Sequence, residues 1–177
     1  MKTLLIGLTS SLTISLTAQA EVKHISDYGF IIENRVQVPS SPDTAWQALV
    51  NDVGKWWPGD HSWFGEAGNF SIEAKAGGCF CEISGDNQVQ HMQIEAVQPP
   101  ALLRMTGGLG PLQSMGLYGA LDWKLNQTDS GTEIVLTYKV HGLNPDGFKE
   151  LAPIVDHVQG LQLGGLGDYL KNTAATK

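Results

Sequence analysis

The order of elements along the chain predicts an α+β fold: a curved antiparallel sheet of six or seven strands wrapped around one long C-terminal helix, with two short helices after the first strand. Three observations carry this. One strand-like segment precedes a short helical stripe, a long series of alternating segments broken by turn residues follows, and a single apolar-striped helical segment closes the chain. A sheet closed over one terminal helix tends to enclose a cavity, so the layout implies a container for a small molecule without naming its contents.

Residues 1–20 read as an export signal. Lys2 supplies a positive start, Leu4 to Leu16 a short apolar core, and Ala18-Gln19-Ala20 an A-x-A cleavage site. That core is too short and too interrupted by Ser and Thr to span a bilayer. Cleavage after Ala20 leaves a periplasmic or secreted chain with no membrane anchor, long enough for one domain. The expected division is a leader held loosely over 21–28, a domain over 29–172 and a disordered tail over 173–177. With Lys2 removed, 18 acidic residues oppose 10 basic ones and no Lys/Arg run remains, which argues against nucleic acid as a partner.

Phe30 to Val38 alternates as a strand. Ser41-Pro42-Asp43 starts a helix, since Ser caps, Pro suits the first turn and Asp favours the positive end. Trp46, Leu49 and Val50 form its stripe, and a second short turn reaches Trp56 before Pro58-Gly59. Strands follow over Phe70–Ala74, Cys79–Ser84, Val89–Val97, Leu102–Thr106, Leu117–Leu125 and Glu133–Val140, separated by turns such as Gly85-Asp86-Asn87 and Thr128-Asp129-Ser130-Gly131. Gly107 to Pro111 is a flexible apolar loop. The terminal helix runs from about Gly147 to Lys171, with Leu151, Ile154, Val155, Val158, Leu161 and Tyr169 expected inward. Pro153 either marks its first turn or kinks it. Gly160, Gly164, Gly165 and Gly167 have two readings: close packing against the sheet, or room for a ligand.

These residues resemble the SRPBCC superfamily, whose helix-grip fold is shared with START lipid-transfer domains and birch-pollen-allergen proteins. The likeness spans about Phe30 to Lys171 and is strongest at Pro39–Trp46, Trp56-Trp57-Pro58, Gly77-Gly78-Cys79-Phe80, Val97–Pro100 and Leu121-Asp122-Trp123. Among subgroups it is similar to bacterial chaperone-ATPase-activator homologues and polyketide cyclases; the export signal sets it apart from a cytosolic chaperone's activator. The resemblance implies a fold and a cavity, for members that bind lipids, sterols, hormones, polyketides or aromatic compounds.

Three constellations can carry chemistry. Trp56, Trp57, His61, Trp63, Met105, Leu112, Met115, Trp123, Val158 and Leu161 are candidates to line a ligand cavity, under a lid formed by Trp57 to Phe64 and Gly107 to Met115. Trp46 and Trp123 read as ordinary core residues, whereas Trp56, Trp57 and Trp63, in a turn-rich segment, read equally as ligand contacts or as cover over an opening. His61, Cys79, Cys81 and His91 can hold a soft metal if hairpin register puts His91 on the cysteine face, whereas a one-residue slip removes it. An extended C-x-C pair sits at roughly the 7 Å limit for bridging, so no unstrained disulfide is expected between Cys79 and Cys81. His91, Asp122 and His157, with Glu82, are candidate proton carriers. No Ser-His-Asp order, G-x-S-x-G elbow, phosphate loop or H-E-x-x-H is present, and no cofactor is expected. The resulting expectation is an exported binding or carrier domain for a small, largely apolar or aromatic ligand. The alternatives are a cyclase-like or isomerase-like enzyme acting in the same cavity, and a Cys/His metal site.

Overall fold

The computed structural model describes residues 19–175, so the export-signal residues 1–18 lie outside the described residues. Eight antiparallel strands form one sheet in the order β1-β2-β8-β7-β6-β5-β4-β3. The strands are β1 (Gln19–Ser26), β2 (Gly29–Val38), β3 (Phe70–Ile72), β4 (Cys79–Ser84), β5 (Asn87–Gln98), β6 (Leu102–Gly107), β7 (Tyr118–Thr128) and β8 (Gly131–His141). Helices α1 (Pro42–Asn51) and α2 (Val53–Trp56) follow β2, α3 (Pro111–Ser114) lies between β6 and β7, and α4 (Leu151–Ala175) closes the described chain. This is a helix-grip arrangement with one strand more than the six or seven expected.

The additional strand is β1. Sequence reading leaves 21–28 as a loosely held leader after cleavage. In the structure Val22 pairs with Ile32 and Ile25 with Phe30, and a bulge at Lys23 absorbs the broken period. Asp27-Tyr28 closes a two-residue turn, where Ser26 Oγ accepts from the Tyr28 amide at 3.3 Å. At the sheet edge, Glu21, Lys23 and His24 are exposed, which discourages further strand pairing.

The core lies on one face of the sheet, where Ile32, Phe80, Ile94, Leu103, Leu121 and Leu136 are almost wholly buried. Ser41 caps α1 by accepting from the Thr44 amide at 3.3 Å, and Pro42 occupies the first turn, as the sequence predicts. β5 departs from regular pairing twice. Residue 91 is extra opposite β4, and residue 95 is extra opposite β6. Bulges bend and twist a strand, so β5 is where the sheet can turn over its own core.

Helix α4 differs from expectation in the face it buries. Ala152, Val155, Asp156, Gln159, Gln162, Leu163, Leu166 and Leu170 point inward, while Ile154 and Leu161 are 60% and 47% exposed. Three polar residues share the buried face, so the apolar stripe read from sequence is rotated from the true one. Asp156 is held by Asn34, whose Nδ2 donates to Oδ1 at 2.9 Å from β2. Burial pushes the Asp156 carboxyl above its ordinary value, with the Asn34 bond pulling the other way. Pro153 sits in the first turn of α4, where its missing N–H has no helical partner to lose.

The helix glycines separate by position. A Cβ on Gly165 would strike the carbonyl oxygen of Trp56, and one on Gly167 would press on Val36, so both allow close approach. Gly164 has nothing within 4 Å of such a Cβ. Gly165→Ala is therefore expected to destabilise the protein by about 1–3 kcal/mol. Gly164→Ala should instead stabilise it by up to about 1 kcal/mol through helix propensity. Urea denaturation of the two variants checks the opposite signs.

Candidate functional site

A cavity of about 330 Å³ opens between the N-terminal half of α4, the 57–63 segment and the 109–115 loop. Trp57, His61, Trp63, Leu112, Met115 and Val158 line it, as does His91. The remaining ligand candidates lie elsewhere. Met105 and Trp123 are buried in the core, and Trp56 packs edge-on to Trp123 at 5.9 Å and donates its Nε1–H to the Ala48 carbonyl at 2.9 Å. Leu161 lies on the outer side of α4. Leu109 lies in the expected lid and Leu151, Ile154 and Val155 on the expected inward stripe, and all four line the cavity, whereas sequence reading misses Gln159 and Gln162. The two glutamines are missed because an apolar-stripe search passes over polar residues on a buried face.

The wall opposite α4 is organised by Glu82. β4 turns Phe80 and Glu82 inward, and Glu82 is fully buried. Its Oε1 accepts from Ser62 Oγ at 2.5 Å and the Phe64 amide at 2.8 Å, and its Oε2 accepts from the Trp63 amide at 3.0 Å. His91 Nε2 lies 3.0 Å from Oε2. A carboxylate has about four acceptor positions, and here four partners occupy them. Burial opposes the charge on Glu82, yet the bonds from Ser62, Trp63, Phe64 and His91 outweigh it and hold the carboxyl below its ordinary value.

The extra residue in β5 brings His91 inside. It and Met92 are both buried, two neighbours on one face where a regular strand would alternate them. Hairpin register thus places His91 opposite to the cysteines, level with Glu82 and Phe80. Its ring stacks on Phe70 at 5.1 Å and meets Trp63 edge-on at 5.7 Å. Burial lowers its pKa below the ordinary value, against an upward pull from Glu82. His91 is then neutral near pH 7, with its proton on Nε2 facing the carboxylate.

Two other expectations are corrected. Cys79 and Cys81 form a disulfide with Cα atoms 5.4 Å apart. The strand is shorter there than an extended strand of the assumed rise, beside the β5 irregularity. Both lie on the outer face of β4, and no His/Cys/Asp/Glu group of metal-binding size occurs among the described residues. The proposed proton carriers also do not converge. Asp122 lies on the outer face of β7, where Arg104 grips both carboxylate oxygens at 2.6 and 2.7 Å, and His157 is exposed.

The root of the 109–115 loop is fixed from the core. Tyr138 donates its hydroxyl to the Gly107 carbonyl at 2.8 Å and accepts from the Leu109 amide at 3.1 Å. Burial pushes its pKa up to about 12, so it stays a donor. Farther along, Gln113 Nε2 donates to the Gln90 carbonyl at 2.7 Å and ties the loop to β5.

The Glu82–His91 pair sets an acid limit on stability. Both groups titrate lower in the folded protein than in the unfolded chain, which therefore binds more protons as pH falls. Their stabilisation is complete above pH 6.5, declines below it as unfolded His91 protonates, and declines again below 4.5 as unfolded Glu82 does. Unfolding free energies measured between pH 8 and pH 4 should fall in that order. Glu82→Gln, which places an amide among donors, should cost about 3 kcal/mol at neutral pH and flatten the lower step.

No family model matches the chain, and no curated protein matches it. Solved structures do. An uncharacterised protein from Rhizobium leguminosarum aligns with a TM-score of 0.62 at 13% identity, over 88% of this chain and 98% of its own. CalU16 from Micromonospora echinospora aligns at 0.58 and 15% identity, over 92% of this chain and 78% of its own. The Aha1 dimer from Colwellia psychrerythraea aligns at 0.57 and 15%, over 80% of this chain and 96% of its own. At these identities the likeness is one of fold, the helix-grip arrangement of sheet and long C-terminal helix.

Proposed function

We propose that this chain is an exported binding or carrier protein for a small, largely apolar molecule held between the sheet and α4. The observation that carries the reading is the 330 Å³ cavity, walled by Trp57, Trp63, Leu109, Leu112 and Val155. Removing apolar ligand surface from water contributes about 25 cal/mol per Å², before the costs of association. The fold shared with CalU16 and Aha1 is compatible with such a role.

A proton-transfer enzyme of cyclase or isomerase type is supported less well. The expected carriers were His91, Asp122 and His157, and of these only His91 lines the cavity; Asp60 and His61 also line it, and no hydrogen bond joins either side chain to His91 or Glu82. Glu82, the neighbour of His91, has every acceptor position taken and no free one with which to receive a substrate proton.

N-phenyl-1-naphthylamine, a neutral apolar fluorophore, tests the binding reading. Saturable uptake at one site per chain is expected, weakened at least tenfold by Val158→Trp, which fills the cavity. No uptake by the folded protein, together with no small-molecule adduct in native mass spectra, would remove the proposal.

Export is the second half of the proposal. Lys2, the Leu4–Leu16 core and Ala18-Gln19-Ala20 support it, and a Cys79–Cys81 disulfide suits an oxidising compartment. In a bacterial host, mass spectrometry of the periplasmic protein should find a chain beginning at Glu21. Uncleaved protein confined to the cytoplasm would refute it.

A further inference from the structure

We propose that export processing completes the fold: cleavage after Ala20 frees an α-ammonium on Glu21 that pairs with the buried carboxylate of Asp156 and fastens β1 to α4. The proposal rests on the export reading above and goes beyond it, giving the new N-terminus a structural role.

Strand register sets the place. β1 pairs with β2 so that Ala20 lies opposite Asn34 and Glu21 opposite Glu33. Asn34 is wholly buried, and its Nδ2 donates to Asp156 Oδ1 at 2.9 Å. The peptide bond that signal removal breaks therefore stands across the strand pair from Asn34, one hydrogen bond away from Asp156. In the uncleaved chain the Glu21 nitrogen is an amide, and its N–H already acts on the Asp156 carboxyl. Cleavage gives that same nitrogen a positive charge and two further N–H donors, since a free α-amine is mostly protonated at neutral pH.

Asp156 lacks the cation that such a site needs. It is only 8% exposed, and burial pushes its carboxyl above the ordinary value. The Asn34 bond, the Glu21 amide and the nearby His157 offset that burial only in part, and the Glu21 carboxylate adds to it. Among the described residues, no Lys, Arg or His forms an ion pair with Asp156. The cations of this sheet edge are engaged elsewhere: Lys23 with Glu21 and Glu33, and Arg35 with Glu33 and Glu133. His157 itself is exposed. Asn34 is also short of a donor, because its Nδ2 is committed to Asp156 while its buried Oδ1 has no partner. A buried carboxylate is strongly unfavourable without a cation, and an ammonium at Glu21 supplies one where the sequence offers no side chain to do so.

The pairing has a definite sign with pH. It raises the α-amine above its ordinary value of about 8, so its stabilisation is full below that value and is lost as pH rises through the folded one.

Two chains released from a removable fusion test the pair, one beginning at Glu21 and one at Ala20, each with Asp156 and with Asp156→Asn. In urea denaturation at pH 7 the Glu21 chain should have an unfolding constant about tenfold smaller than the Ala20 chain, the equivalent of about one unit in the amine pKa. With Asp156→Asn the two should agree within about twofold. Carbon-13 NMR titration of the terminal residue reads the pair even where Asp156→Asn does not fold: the amine of the Glu21 chain should titrate above about 8, and that of the Ala20 chain near it. Equal stability and equal titration of the two chains would overturn the inference while leaving export in place. A periplasmic protein that begins elsewhere than Glu21 would overturn it together with the cleavage site.

Discussion

Glu82 brings a wholly buried carboxylate to the junction of β4, β5 and the 62–64 segment, and four donors close around it. Two of those donors are backbone amides in a stretch with no regular secondary structure. Without the carboxylate, those amides would have to find water in a place lined by Trp57, Phe70 and Phe80. The charge is tolerated because the donors outweigh its desolvation, and the donors stay in place because the charge is there. One wall of the cavity, the conformation of the lid segment and the tautomer of His91 all follow from this single group.

The two ends of the molecule then solve different packing problems. Near the C-terminal half of α4, Gly165 and Gly167 let the helix close on α2 and β2, and Leu163, Leu166 and Leu170 complete a solid interior. Tyr169 adds a hydroxyl bond to Asp52 at 3.0 Å, tying the helix to the start of α2. Near the N-terminal half the same helix presents Gln159 and Gln162, and the bulge in β5 adds the imidazole of His91 to the inner face beside Met92. An interior that places amides opposite an imidazole, with a space between, is not packed against itself. The cavity lies at that end, and Gly165 and Gly167 belong to close packing at the other.

The sequence foretells most of the sheet, because alternation and turn residues are local. Strands β4 to β8 match their expected segments closely, and the Gly85-Asp86 and Asp129-Ser130 turns fall where predicted. What local pattern cannot supply is register. A single extra residue in β5 decides whether His91 faces Glu82 or the cysteines, and nothing in the run Val89–Val97 marks it. The same shortfall affects α4: Asp156, Gln159 and Gln162 are buried for reasons of tertiary partnership, so a hydrophobic stripe points to Ile154 and Leu161 instead. The disulfide fails to appear in the sequence reading because an ideal extended strand was assumed where the backbone is shorter. Trp57, Trp63 and Met115 were legible as lining because bulky apolar residues beside Gly and Pro turns have few other places to go.

The walls of the cavity differ in how firmly they are held. The sheet side is tied by the Glu82 cluster, and α4 is anchored by its packed C-terminal half. The 109–115 loop is different. Its root is fixed by Tyr138, but beyond Leu109 its side-chain hydrogen bond to the body is the one from Gln113 to Gln90, and Met115 stands 42% exposed at its end. Segments with few buried contacts open at lower free energy than the core around them. Displacing this loop exposes Leu112 while leaving Glu82 and its donors undisturbed. The two sides of the cavity are therefore built from separate parts: the 109–115 loop on one side, and the imidazole of His91 with the Glu82 cluster on the other.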